Sequence, residues 1–238
     1  MLTDDFGSGE LRVDVRDSSN VMELTTNGAR ETMAVAGALA IALRSSGGGN
    51  FVILLEGPPG AGKTAFAKGF GKALGLDPDD VASPTFALAH VHALPSGKKL
   101  AHLDLYRLGD DGDPQSATKE FLEAGLDEFL GLDFALVEWA DRLPPASYPE
   151  ETVKVLIAPP KGLNMGPPAE GGEGGEEQEE REEPKEQVET EAGFSPEPPP
   201  PGTRGDSRLV TIRGAFPEES LMEKLKALPR GPGTGSEP

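Results

Sequence analysis

Residues 51–64 read Phe51-Val52-Ile53-Leu54-Leu55-Glu56-Gly57-Pro58-Pro59-Gly60-Ala61-Gly62-Lys63-Thr64. The second half is a complete G-x-x-x-x-G-K-[ST] phosphate-binding loop, and the first half is an apolar run of strand length. Ala65-Phe66-Ala67-Lys68 and Phe70 follow with helical character. Strand, glycine-rich turn and helix therefore come in the order that lets backbone amides and a helix N-terminus meet a phosphate. Lys63 reaches for the outer phosphates and Thr64 for Mg²⁺. An ordinary glycine-rich turn has no need of the Lys-Thr pair.

Outward from this loop the chain reads as one α/β domain. A strand at 21–24 and an Ala/Leu-rich helix at 29–44 precede it, with Thr25, Thr26 and Asn27 as candidate helix N-caps. The helix opened by Lys63 should end near Gly75. Phe86 to His92 and Lys99 to Tyr106, separated by Pro95-Ser96-Gly97-Lys98, predict an antiparallel hairpin. A helical stretch over 114–130, broken near Gly125, leads to a short buried strand at 134–137. The predicted fold is a P-loop NTPase-like domain with a central, mostly parallel sheet flanked by helices and carrying a β-hairpin. Residues 1–20 are polar and acidic and are expected to be a flexible leader, in which 11–15 alternate weakly and read equally as a short edge strand or as floppy chain.

Composition shifts at 162–207, which hold 9 Gly, 8 Pro and 13 acidic against 3 basic residues. Such a stretch buries too little apolar surface to offset its ordering entropy, and reads as a disordered acidic insertion. Strand 153–157 is then expected to pair with strand 208–212 around it, because loop-closure cost grows only logarithmically with length. The expected body is 21–161 plus 208–238, ending in a helix from 218 to 228.

The chain has 238 residues, a net charge of −19 and no cysteine. Disulfides, thiolate zinc sites and cysteine nucleophiles are excluded. No apolar run approaches membrane-spanning length, and the N-terminus is acidic where a signal peptide is basic. A cytoplasmic protein with no membrane contact is expected. No cluster of Lys or Arg marks a nucleic-acid footprint, so any RNA is held mainly by a partner.

A P-loop enzyme usually sets a second acid at the end of a neighbouring strand. Asp104 ends Leu100-Ala101-His102-Leu103, and Glu138 ends Phe134-Ala135-Leu136-Val137. Pattern alone leaves their division of labour open: one binds the metal, the other positions water, or either caps a turn. Arg107 is a transition-state cation or a structural ion pair. Trp139 covers the nucleotide, meets a partner or packs in the core. His90 and His92 share a strand face, with no further ligands at metal spacing.

Several motifs in this order resemble one family: Glu31-Thr32, Gly60-Ala61-Gly62-Lys63-Thr64, Ser83-Pro84-Thr85-Phe86, His102-Leu103-Asp104-Leu105-Tyr106-Arg107-Leu108 and Val137-Glu138-Trp139. The series is similar to the TsaE family, the bacterial P-loop ATPases of tRNA threonylcarbamoyladenosine biosynthesis, over roughly 21–157 and again at 208–213. The resemblance implies ATP and Mg²⁺ as cofactors and slow hydrolysis without partners. Those partners would be a tRNA threonylcarbamoyl transferase subunit and its non-catalytic companion, with tRNA reached through the complex. It implies nucleotide binding by Gly57, Gly60, Ala61, Gly62, Lys63, Thr64 and Ala65, metal binding by Thr64 and Glu138, and catalytic roles for Asp104, Glu138 and Lys63. Thr85 would belong to a switch-like segment. Gly57-Pro58-Pro59 departs from the family's usual Gly-Asp-Leu, and Ala65 stands where many relatives carry a second Thr. A small-molecule kinase and a nucleotide-dependent binding switch remain as alternatives.

Overall fold

The computed structural model describes residues 12–15, 21–109, 113–159 and 207–228. In chain order these form β1 (Arg12–Val15), β2 (Val21–Asn27), α1 (Ala29–Ser45), β3 (Phe51–Glu56), α2 (Lys63–Ala73), β4 (Ala89–Ala93), β5 (Lys99–Asp104), α3 (Pro114–Glu123), β6 (Phe134–Glu138), β7 (Thr152–Ala158), β8 (Ser207–Gly214) and α4 (Glu218–Lys226). Eight strands make one sheet in the order β1-β2-β8-β7-β3-β6-β5-β4. The four central strands β7, β3, β6 and β5 run parallel, and antiparallel strands flank them on both sides. This is the expected α/β sheet with a parallel centre.

Strands β3, β6 and β5 are apolar because both of their faces are covered, whereas β7 turns Lys154 and Leu156 to solvent. On one face Ile53, Leu55, Phe134, Leu136, Val153 and Val155 pack against α1, α2 and α4. On the other, Val52, Leu54, Ala135 and Val137 pack with Phe121 and Leu126 of α3 and the short 3₁₀ turn after it. Helices α1 and α2 approach closely at Gly37 and Gly69: a Cβ on Gly69 would lie 2.3 Å from the Met33 carbonyl oxygen. Strand β7 pairs with β8 in the register Val153↔Gly214 to Ala158↔Leu209, the pairing expected across the acidic segment. The proposed disorder of 162–207 concerns residues that, apart from Ser207 in β8, lie outside the described ones. Within 1–20, Arg12–Val15 form the edge strand β1 rather than part of a flexible leader, because they find a ladder along β2; the other residues of 1–20 are not described.

Two local expectations are corrected. Gly28, with φ 87°, caps α1, while Thr25, Thr26 and Asn27 finish β2. The helix start is held from inside, by Glu31 accepting the Asn27 amide at 2.7 Å. Strand β4 begins at Ala89 rather than Phe86. Leu88 N donates to the Pro84 carbonyl at 2.7 Å and Leu88 takes φ 62°, so 85–88 form a turn that leaves Phe86 90% exposed. The 114–130 stretch breaks near Gly125 as expected: α3 stops at Glu123, Gly125 turns left-handed (φ 65°) and a 3₁₀ segment follows.

Candidate functional site

The site forms where β3, β5 and β6 end side by side. Gly57 leaves β3 with φ 142°, and a Cβ there would sit 2.1 Å from the Ile157 carbonyl oxygen, so only glycine passes. Gly60 and Gly62 follow with φ 72° and 107°. Ala61 N donates to the Pro58 carbonyl at 3.2 Å. Gly62 caps α2, and Phe66 is the first amide to find an intrahelical carbonyl, on Gly62 at 2.9 Å. The amides of Lys63, Thr64 and Ala65 therefore have no intrahelical acceptor, which leaves them available to an anion at the helix N-terminus.

Lys63 is 5% exposed. Its Nζ donates to the carbonyls of Gly57 (2.7 Å) and Pro58 (3.0 Å) and lies 3.5 Å from the Trp139 ring centroid. Burial holds its pKa below the ordinary lysine value, although Glu138, Asp141 and Asp104 pull it back up. Burial and the nearby carboxylates thus act on the lysine in opposite directions, with burial the larger.

Thr64 opens the first turn of α2, and Glu138 ends β6. Thr64 Oγ1 donates to Glu138 Oε2 at 3.1 Å. The other carboxylate oxygen accepts from His102 Nε2 at 2.9 Å. A hydroxyl and a carboxylate are hard oxygen donors. Mg²⁺ typically takes one or two protein carboxylates and fills its octahedron with water and phosphate oxygens. These residues fit that ion, and no group of three or more His or acidic side chains able to cage a metal occurs among the described residues. His90 and His92 do share a strand, with ring centroids 6.4 Å apart. Burial, then His102 and His90, push the pKa of His92 down.

Asp104 lies beside Glu138 in the β5–β6 register, and its carboxylate is fully engaged. Oδ2 accepts from the Ser83 and Thr85 hydroxyls (Thr85 at 2.8 Å), and Oδ1 accepts the Tyr106 amide at 3.0 Å. Asp104 therefore ties the 83–85 segment to the end of β5. Arg107 is exposed and lies 5.6 Å above the Phe86 ring, with no ion pair among the described residues. Trp139 is half-buried and left-handed (φ 59°), its ring between Lys63 and Tyr106 (4.9 Å).

The structure thus brings together Gly57, Gly60, Ala61, Gly62, Lys63, Thr64, Ala65, Asp104 and Glu138. Sequence reasoning missed three contributors. His102 entered the sequence reading only as part of the His102-to-Leu108 motif, and its bond to Glu138 depends on the β5–β6 register, which sequence alone does not give. Asp141 acts on Lys63 and, with burial as the larger cause, helps push the Glu56 pKa up. Tyr148, whose pKa burial raises, donates to the Ala140 carbonyl at 3.0 Å and steadies the turn behind Trp139. Neither has a sequence signal. No helix among the described residues is long and apolar enough to cross a membrane.

Comparison with known proteins agrees with this geometry. A family model described as "Threonylcarbamoyl adenosine biosynthesis protein TsaE" matches residues 26–162. Proteins named tRNA threonylcarbamoyladenosine biosynthesis protein TsaE are similar in Bacillus subtilis (38% identical over 110 residues, 44% of this chain and 60% of that one) and Aquifex aeolicus (40% over 95 residues, 40% and 61%). A third, from Treponema pallidum, is 34% identical over 108 residues, 44% of this chain and 71% of that one. The chain thus spans about three fifths of the first two relatives' length. The crystal structure of Bacillus subtilis YdiB superposes with a TM-score of 0.46 at 24% identity, over 89% of this chain and 97% of that one. The fold rests on the topology above and not on that likeness. The family match runs from the end of β2 past β7 and takes in the phosphate loop, Asp104 and Glu138, and on that match the chain belongs to the TsaE family.

Proposed function

We propose that this chain is a cytoplasmic Mg²⁺-dependent ATPase, required for the threonylcarbamoyl modification of the adenosine next to the tRNA anticodon. The observation that carries the reading is the 3.1 Å bond between Thr64 and Glu138, beside a buried Lys63 at the mouth of a complete phosphate loop. The relatives named for this biosynthesis supply the pathway.

In this reading the loop residues Gly57 and Gly60 to Ala65 bind the nucleotide phosphates. Lys63 exchanges the Gly57 and Pro58 carbonyls for phosphate oxygens. Thr64 and Glu138 hold Mg²⁺, which when bound neutralises charge on the phosphates. Asp104 orients the attacking water. Since Asp104 also holds Ser83 and Thr85, that role is coupled to the position of the 83–85 segment. The partners are a threonylcarbamoyl transferase subunit and its non-catalytic companion, and tRNA is met through them.

The test is ATP hydrolysis by the purified chain, alone and with the transferase heterodimer and unmodified tRNA. Slow turnover alone and strong stimulation in the assembly are expected, lost at least about 100-fold in Lys63→Ala and Glu138→Ala. Absence of stimulation by active partners overturns the reading. A second reading, a nucleotide-dependent binding switch with negligible catalysis, is favoured by the engaged state of Asp104. Tight ADP binding without stimulated turnover would select it.

A further inference from the structure

His102 is buried completely on β5, yet it is neither apolar nor part of the phosphate loop. Residues 100, 102 and 104 share one face of the strand by its twofold alternation, as do 134, 136 and 138 on β6. Leu100, Phe134 and Leu136 belong to the core under α2. His102 therefore occupies the same face as Glu138, under the helix that carries Thr64. Its Nε2 lies 2.9 Å from Glu138 Oε1, while its Nδ1 has no hydrogen-bond partner among the described residues. Burying a polar nitrogen without a partner is unfavourable, and a leucine at 102 would avoid it. Among the described residues the imidazole hydrogen-bonds to Glu138 alone.

That contact decides where the carboxylate points. An ionised carboxylate only accepts hydrogen bonds, so both His102 Nε2 and Thr64 Oγ1 donate to it. With Oε1 tied from behind, Oε2 is turned toward Thr64 and the N-terminus of α2. Glu138 is itself 2% exposed, so water is poorly placed to replace the histidine. We propose that His102 is a positioning residue: it fixes Glu138 so that the second carboxylate oxygen and the Thr64 hydroxyl together present a divalent-cation site. The inference rests on the assignment of Thr64 and Glu138 as metal ligands.

Three substitutions in the full chain test it. His102→Gln keeps an amide donor at about the reach of Nε2. His102→Asn carries the same amide one carbon short. His102→Leu has no donor. The probe is Mn²⁺, read by its electron paramagnetic resonance in the presence of ADP, alongside ADP binding in EDTA and circular dichroism for folding. Groups that orient a metal ligand typically change metal affinity 10- to 100-fold. Mn²⁺ affinity should fall by about that factor in His102→Asn and His102→Leu, and return to near native in His102→Gln. ADP affinity in EDTA should be unchanged in all three. If His102→Leu does not fold, the Asn and Gln pair decides. A folded His102→Asn with native Mn²⁺ affinity overturns the inference, as does equal loss in Asn and Gln. If the native chain binds ADP no better with Mn²⁺ than in EDTA, the assignment of Thr64 and Glu138 falls first and takes the inference with it.

Discussion

Thr64 and Glu138 stand 74 residues apart in the chain and meet at 3.1 Å, one at the start of α2 and the other at the end of β6. The parallel register of β3 with β6 makes the meeting possible, since Leu55↔Glu138 sets the strand end beside the start of the phosphate loop.

If the pair acts as one unit, its substitutions will not add. Thr64→Val and Glu138→Gln should each lower stimulated ATP hydrolysis by about 10²–10³-fold. The double variant should be little worse than the poorer single. Multiplying losses, measured as kcat with saturating Mg²⁺, would mean that the two residues serve separate steps.

The single tryptophan provides a direct reading of Lys63. A cation 3.5 Å from the Trp139 ring must move away if the ammonium is to meet a phosphate. Intrinsic emission should therefore change on ADP titration and saturate with binding. Lys63→Ala should show no such change. Calorimetric saturation without an emission change would mean that Lys63 stays on the indole.

Gly69→Ala sets helix propensity against packing. Alanine in mid-helix is favoured over glycine by about 0.5–1 kcal/mol. Its Cβ would lie 2.3 Å from the Met33 carbonyl oxygen of α1, and overpacking of that kind costs about 1–3 kcal/mol. A net loss of about 1–2 kcal/mol is expected in urea unfolding. A gain in stability would show that α1 yields at no cost.

Glu56 should make stability depend on pH in a stated direction. Burial first, and Asp141 next, raise its folded pKa above 4.5, with Lys154 and Arg213 opposing. An acid raised in the folded state contributes fully below its unfolded value of 4.5 and loses that contribution as pH climbs through the folded value. Glu56→Gln should therefore match the native chain at pH 4 and exceed its Tm at pH 7. Equal Tm values at both would mean that the two cations cancel the burial.

The phosphate loop, the helix it opens, the parallel centre and the β7–β8 pairing were all legible. Each rests on local periodicity or on a motif with a fixed strand-loop-helix order. The start of β4 was not legible, because Phe86 looks like a strand residue until the turn closed by Leu88 N on the Pro84 carbonyl is seen. Asp104 and Glu138 were found as strand-end acids. Their different surroundings were hidden, since Ser83 and Thr85 reach one and His102 the other only through tertiary contacts. No spacing rule in the chain encodes that choice.

The place of β8 between β2 and β7 ties the order of synthesis to the closing of the sheet. Asn27 ends β2 and Ser207 begins β8; their side chains bond at 2.8 Å across 180 residues. At about 5–20 residues per second, a ribosome needs roughly ten to forty seconds to travel that distance. Throughout that interval β2 has one ladder edge without its neighbour, a template for pairing with other chains. Nascent chains halted before Ser207 carry the whole phosphate loop, Asp104 and Glu138, yet leave β2 and β7 without the strand that joins them. The nucleotide machinery is thus translated well before the sheet around it can be sealed.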